Sequence, residues 1–413
     1  MTLHYLSSFE WLAVVQNELL LFASVFFLLG FVDDFCIDLC WLWLKITGRG
    51  KTKALDSEEM ALSPLAGDAA VFIPAWSESA VIGDTIAHTL AAWPQERLRL
   101  YVGIYKNDPE TLEAATRAAG GDPRLRLVVF DRDGPSTKAD CLNRLYEALQ
   151  IDERRYQRLA RMVVFPAALA VLDRGIEEAD FVQLPVLPLP QNRSPFLGSH
   201  YCEEFAESHG KGMVVRNALG TALPSAGVGC AIAREALDFM ANRDAKGQPF
   251  NAGSLTEDYE MGIELAQLDA RWSFIRCRHA NGDLVATRAY FPAQLHTIVK
   301  QKTRWIHGIA LQGWDRLGWT TGRAPKISEM WMRMRDRRGP ISALVLLTGY
   351  VLLALSALGW GASQWGAGNA LEITPFVQTL LLINFGAFLW RVMMRLRGDG
   401  LYKIANGQTA AMG

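Results

Sequence analysis

The 413-residue chain is long enough for one soluble domain of ordinary size plus membrane segments, and half of its residues are hydrophobic, a high share for a soluble enzyme. With 42 basic against 43 acidic residues the net charge is −1, which excludes a broad basic footprint, so no nucleic-acid partner is expected. The six cysteines (36, 40, 141, 202, 230 and 277) form no CxxC pair and no cluster with histidine at zinc spacing, as free thiols in a reducing compartment do.

In chain order, the first element is an apolar stretch over residues 11–32 that contains LLLFASVFFLLGFV. Asp33 and Asp34 stop it, and the CIDLCWLWLKI that follows either extends the span or lies at the interface. No signal peptide is expected, because the first eighteen residues hold no Lys or Arg. Residues 340–360 and 373–390 are two further stretches near the roughly 20 apolar residues that a bilayer core demands. Lys45, Arg49, Lys51 and Lys53 follow the first span. Arg333, Arg335, Arg337 and Arg338 precede the second, Arg391, Arg395 and Arg397 follow the third, and 361–372 has no basic residue. The excess of positive charge then puts the N-terminus outside and the large middle region inside.

Between the spans, a polar stretch over 51–68 gives way to apolar runs alternating with helical ones. Strands are expected at 69–74, 98–105, 124–130 and 161–165. Helices follow: one with Val81, Ile82, Ile86 and Leu90 on its apolar face, then 110–119, then 138–149. Continuous apolar strands alternating with helices predict an α/β fold with a doubly wound, mostly parallel sheet. Such sheets bind ligands beyond the carboxyl ends of their strands, here the loops after Ile73, Tyr105 and Phe165.

Several residues in or near those loops suit chemistry. Glu78 lies in the first turn. Asp108 belongs to Asn107-Asp108-Pro109, which by itself is a turn and helix start. Lys138 opens a helix, where a cation opposes the dipole and so suggests an anionic ligand; a solvated surface lysine is the bland alternative. Glu257 and Asp258 follow Thr256, which could N-cap the next helix, with two acids suiting its first turn. Gln301, Arg304 and Trp305 combine a planar fork for phosphates with a flat ring for a sugar or base, or else form a basic interfacial helix.

In order and spacing these motifs resemble the membrane-bound family 2 glycosyltransferases that carry Q-x-x-R-W, here Gln301, Arg304 and Trp305, and an acidic motif, here Glu257-Asp258. Within that family the chain looks closest to the bacteriophage adsorption protein B group, through IPAWSES (73–79), VGIYKNDPET (102–111), GPSTKADCLN (134–143), QLPVLPLP (183–190), PSAGVG (224–229) and SLTEDYEMG (254–262).

The resemblance implies a GT-A-like fold with three transmembrane helices. It implies inverting transfer of a sugar from a nucleotide-diphospho-sugar, UDP-linked by preference, to a growing glycan or lipid-linked acceptor in exopolysaccharide synthesis. Asp258 would be the catalytic base with Glu257 beside it. Glu78, Asp108 and Lys138 would bind the donor, and Gln301, Arg304 and Trp305 the diphosphate and acceptor. The protein would be multi-pass in the bacterial inner membrane, with its catalytic domain cytoplasmic and an outer-membrane export partner. The implied divisions are a membrane and interfacial segment (1–46), a linker (47–68), the glycosyltransferase domain (69–315), a basic interfacial segment (316–339), two spans (340–397) and a polar tail (398–413) without a cyclic-dinucleotide module.

The chain departs from the family at one point. The D-x-D metal motif belongs directly after the fourth strand, but here Phe165 runs into Pro166-Ala167-Ala168-Leu169, which reads as the next helix. Mg²⁺ or Mn²⁺, implied by the resemblance, lacks its usual carboxylates there, and its ligands are unknown from the sequence. The alternative is a catalytically degenerate membrane scaffold or phage-receptor component.

Overall fold

The computed structural model describes residues 8–50, 52–54, 63–165, 169–189, 195–279, 281–319, 326–364 and 373–397. The elements run α1 (Ser8–Ile46), β1 (Lys53–Ala54), β2 (Asp68–Pro74), α2 (Ile82–Ala92), β3 (Leu98–Tyr105), α3 (Pro109–Ala119), β4 (Leu125–Phe130), α4 (Lys138–Tyr156), β5 (Ala160–Phe165), α5 (Leu169–Glu178), β6 (Phe181–Gln183) and β7 (Val186–Pro188). Then α6 (Pro195–Glu207) continues through a π turn into α7 (Met213–Leu219), followed by β8 (Cys230–Ala233), α8 (Arg234–Ala241), α9 (Glu257–Gln267), β9 (Trp272–Phe274), β10 (Cys277–Arg278) and β11 (Thr287–Ala289). Last come α10 (Leu295–Ile306), a second π turn (His307–Gln312), α11 (Gly313–Leu317), α12 (Ile327–Arg337), α13 (Gly339–Gln364) and α14 (Pro375–Arg397).

These form two compact units, one within Met1–Arg49 and Arg335–Asp399, the other within Gly50–Met334. In the second, seven strands make one sheet in the order β4-β3-β2-β5-β8-β6-β9. All run parallel except β8, which is antiparallel to both neighbours. Strand residues alternate between the two faces. Ala70 and Phe72 of β2 enter one core with Tyr101, Leu145 and Phe181. Val71 and Ile73 enter the other with Ile86, Val102 and Leu172. The sheet is therefore covered on both sides, which is why its strands read as unbroken apolar runs. The doubly wound, mostly parallel arrangement is the one the sequence pattern predicts.

The winding reverses at β2. The chain moves outward through β3 and β4, then returns to place β5 on the other side of β2. The crevice beyond Pro74 and Phe165 is thus the switch point of the sheet. Because β8 is antiparallel, its first residue, Cys230, pairs with the last residue of β5, Phe165. The turn leading into β8 consequently arrives at that same edge.

Details differ from the sequence expectation. Helix α4 runs to Tyr156 rather than ending at Leu149, because Glu153 in its last turns is buried against Arg234 by paired bonds of 2.9 and 2.7 Å. Val81 is exposed, so the apolar face of α2 starts at Ile82. Within the expected linker, Lys53–Ala54 pairs in parallel with Cys277–Arg278. The expected continuation of helix across Pro166-Ala167-Ala168 lies outside the described residues.

The first unit holds three helices long and apolar enough to cross a membrane, over Trp11–Ile46, Gly339–Gly361 and Pro375–Met394. Asp33 and Asp34 do not stop the first. α1 continues through them for 39 residues, about 58 Å at 1.5 Å per residue. It can do so because Arg335, Arg338 and Arg391, from the ends of the other spans, pair with the two carboxylates. Polar groups elsewhere on α1 are also matched: Gln16 Nε2 donates to Ser356 Oγ (3.2 Å), Asn384 Nδ2 to the Ser24 carbonyl (2.9 Å) and Trp390 Nε1 to Asp38 Oδ2 (2.9 Å).

Candidate functional site

Three segments meet at the carboxyl edge of the sheet. The first is the start of α4, where Thr137 Oγ1 caps the helix by accepting from the Asp140 backbone N–H (3.2 Å). Its next residue, Lys138, extends its ammonium to 3.3 Å from Glu257 Oε1 and 4.0 Å from Asp258 Oδ2, and donates to the Gly227 carbonyl at 3.4 Å. In the folded chain the Lys138 ammonium faces the acid pair opening α9. Asn143, one turn further along α4, bonds both the N–H (3.0 Å) and the carbonyl (2.7 Å) of Phe250, fixing α4 to the segment that leads into α9.

The second segment is the N-terminus of α9. Thr256 occupies the cap position, but its hydroxyl makes no capping bond and is buried without a hydrogen-bond partner. The capping role expected of it is therefore corrected. Gly308 faces that threonine so closely that an added Cβ would come within 2.6 Å of it. Asp258 Oδ1 instead accepts from the Tyr259 N–H at 2.8 Å.

The third segment is the turn Ser225-Ala226-Gly227-Val228-Gly229. Gly227 has φ +71°, and a Cβ there would sit 2.3 Å from Asp258 Oδ2 and 2.8 Å from Lys138 Nζ. Only glycine lets the backbone pass so near both groups.

The electrostatics follow from two acids facing one ammonium. Burial works against the charge of Lys138, but Asp258 and Glu257 outweigh it and hold the ammonium above its ordinary value. Burial pushes the Glu257 carboxyl above the usual range; Lys138 opposes that shift and Asp258 reinforces it. The arrangement offers a carboxylate that can take a proton beside a cation that can meet an anion.

The other predicted residues fall into two groups. Asp108 is buried, its Oδ2 accepting from the Ser77 N–H (2.7 Å) and its Oδ1 from the Thr111 N–H (3.4 Å) as the N-cap of α3. The backbone N–H of Glu78 donates to Thr111 Oγ1 (3.0 Å), and its side chain is exposed. These two are joined to each other through Ser77 and Thr111, rather than to the Lys138 cluster. The turn-and-cap reading of Asn107-Asp108-Pro109 accounts for Oδ1, while Oδ2 ties the start of α3 to the turn after β2.

Gln301, Arg304 and Trp305 lie on α10. Gln301 Oε1 accepts from the hydroxyl of Tyr201 at 2.6 Å, and the Tyr201 ring meets Trp305 edge-on at 6.2 Å. Lys302 sits over both rings (4.9 and 5.2 Å) and pairs with Glu204. Arg304 is exposed. Sequence reasoning missed Tyr201 and Glu204, since nothing in the pattern of α6 marks them as partners of a helix so far along the chain. The π turn after α10 brings Gln312 to the approach of α9, where it accepts from the Leu255 N–H (2.8 Å) and donates to the Gly253 carbonyl (2.9 Å).

Among the described residues no three His, Cys, Asp or Glu side chains come together to hold a metal ion. Glu257 and Asp258 are the acids of the cluster, and the ammonium beside them opposes a second cation. The segment Pro166-Ala167-Ala168 contributes no carboxylate by sequence. The residues present do not fit a divalent metal site, so no chemical step is assigned to one.

A model described as "Glycosyltransferase like family 2" matches residues 66–308. The chain is 31% identical over 433 aligned positions to bacteriophage adsorption protein B of Escherichia coli (strain K12), and equally to bacteriophage N4 adsorption protein B of Escherichia coli O157:H7. Each alignment covers 96% of this chain and 57% of the relative, so the chain spans somewhat over half the length of these proteins. Among solved structures it is similar to a mannosyltransferase from Pyrobaculum calidifontis in complex with GDP-Man and Mn²⁺ (TM-score 0.49, 15% identity, 91% of this chain and 98% of that one). It is also similar to glucosyl-3-phosphoglycerate synthase from Mycobacterium tuberculosis in complex with Mg²⁺ and UDP (TM-score 0.36, 18% identity, 60% and 80%).

Proposed function

The chain belongs to glycosyltransferase-like family 2, and from that premise we propose that it transfers a sugar, with inversion, from a UDP-linked donor to a growing glycan or lipid-linked acceptor. The observation that supports this most is the convergence of Lys138, Asp258 and Gly227 at the switch-point edge of the sheet. In this reading Asp258 takes the proton of the acceptor hydroxyl as its oxygen attacks the anomeric carbon. The bond from that carbon to the diphosphate breaks, and its electron pair leaves on the phosphate oxygen. Lys138 and Arg304 meet the charge that develops there. Glu78 and Asp108 shape the nucleotide side, while Gln301 and Trp305 shape the acceptor side. Glu257 shares the ammonium with Asp258 and keeps it in place.

The fit with metal makes a direct test. Titration with UDP is expected to show weak binding with no gain from Mn²⁺, because no carboxylates share the ion with the phosphates. A version with an Asp-x-Asp loop restored after Phe165 should gain a large metal effect. Strong Mn²⁺ dependence in the unaltered chain would assign the ion to another carboxylate, Glu257 first. The absent D-x-D motif also favours a second reading, a non-catalytic scaffold of a phage-receptor or export assembly. Radiolabelled sugar transfer in membranes, compared with and without Asp258, separates the two.

We further propose that the protein sits in the bacterial inner membrane with residues 46–338 in the cytoplasm, working with an outer-membrane export partner in exopolysaccharide synthesis. The positive charges flanking the three spans support this orientation. In a cysteine-free background, Ser363→Cys should react with an impermeant thiol reagent added outside, and Ser136→Cys should not. The reverse pattern would end this assignment.

A further inference from the structure

Gln183 is the last residue of β6 and is fully buried. Its two neighbours in the strand, Phe181 and Val182, are apolar, and the backbone of β6 already pairs with β8 and β9. Sheet pairing therefore makes no demand for an amide side chain here, and burying one is unfavourable unless every polar atom is matched. Here they are matched. Nε2 donates to the carbonyls of Leu184 (2.8 Å), Val228 (2.9 Å) and Gly229 (3.2 Å), and Oε1 accepts from the Ala226 N–H (2.9 Å).

Three of these four bonds go to the turn that carries Gly227, and they reach it on both sides of that glycine. The turn is also held where it enters β8, by the Leu184 N–H donating to the Gly229 carbonyl (2.8 Å), but around Gly227 itself the bonds are few. Gly227 and Gly229 both have positive φ, and Ser225 Oγ adds one bond from the Gly227 N–H (3.1 Å). Gly227 in turn holds the Lys138 ammonium through its carbonyl and abuts Asp258. A path of direct contacts thus runs from Gln183, through the turn, to the two charged groups.

We infer that Gln183 is a positioning residue for the transfer reaction: by holding both limbs of the 225–229 turn it sets the place of Gly227, and through it the spacing of Lys138 and Asp258. This rests on the sugar-transfer reading above for its kinetic consequence, but not for its structural one. Two readouts keep them apart in the full chain: steady-state transfer from a UDP-sugar, and the rate at which an amine-reactive acylating reagent modifies Lys138, followed by mass spectrometry.

Gln183→Met keeps the strand filled and removes the amide. The expected result is a fall of about 100-fold in kcat, the scale of a misplacement near 1 Å, with donor KM nearly unchanged. Lys138 should be acylated several-fold faster, because carboxylates moved away from the ammonium hold its proton less firmly. If Gln183→Met does not fold, Gln183→Asn serves in its place, since it keeps a neutral amide but, one methylene shorter, withdraws it from the turn. A loss of activity that merely follows the loss of folded protein, with kcat per folded molecule unchanged, overturns the inference. If the unaltered chain transfers no sugar, that failure belongs to the functional reading. The acylation rate then decides alone, and an unchanged Lys138 rate in the folded variant overturns the positioning role.

Discussion

Asp258→Asn is expected to lower sugar transfer by about 10²- to 10⁴-fold, the usual contribution of a general base, while leaving the protein folded. The geometry separates this from a helix-capping role. The residue at the cap position is Thr256, whose hydroxyl makes no capping bond, and Asp258 contributes only its acceptance from the Tyr259 N–H. An asparagine oxygen can keep that bond. Glu257 remains 3.3 Å from Lys138, so the ammonium is not left without a carboxylate. The stability change should therefore stay below the roughly 1 kcal/mol of a lost cap. Turnover per folded molecule and the thermal midpoint of the solubilised protein measure both quantities. Unchanged turnover would remove Asp258 from the chemistry.

Gly227→Ala should nearly abolish transfer through a different cause. The new methyl would meet Asp258 Oδ2 at 2.3 Å and Lys138 Nζ at 2.8 Å, so both charged groups must shift or the turn must open. Displacements of this size cost about 100-fold in rate when they separate reacting groups. Positive φ alone adds about 1–2 kcal/mol of backbone strain for any residue with a Cβ. Gly247→Ala is the control. Gly247 has φ +68°, nearly that of Gly227, but a Cβ there meets nothing within 4 Å. It should lose only the stability that backbone strain costs and keep its activity. Equal losses of activity in both variants would show that backbone strain, rather than proximity to Asp258, matters at Gly227.

Much of the fold was legible because its signals are local. The strand predicted at 98–105 is observed at Leu98–Tyr105, since an unbroken apolar run marks a strand covered on both faces. Where burial depends on a distant partner, local patterns fall short. Helix α4 outruns its apolar periodicity because Arg234, far along the chain, receives Glu153. α1 passes through Asp33 and Asp34 because their arginines come from the ends of the other spans.

The site divides in the same way. Glu257-Asp258 and the Lys138 helix start could be singled out from residue type and position. That they face each other across Gly227 could not, because it depends on β8 running antiparallel and delivering its turn to the end of β5. Thr256 shows the opposite failure, a sound local rule that the folded side chain does not follow, since its hydroxyl is buried without making the cap.

The same arginine–aspartate network has a consequence for biogenesis. Asp33 and Asp34 are made early, while their partners lie 301 to 357 residues later in the chain. At ordinary elongation rates of about 5–20 residues per second, the first helix exists for roughly 15–70 s before its counter-charges are synthesised. During that interval an apolar helix carries two acids ahead of the arginines that pair with them. A chain interrupted anywhere before Arg335 leaves both acids without these arginines. Both acids gain a partner once Arg335 and Arg338 are made, ahead of the second span, so the unit can neutralise them before its last two helices are complete.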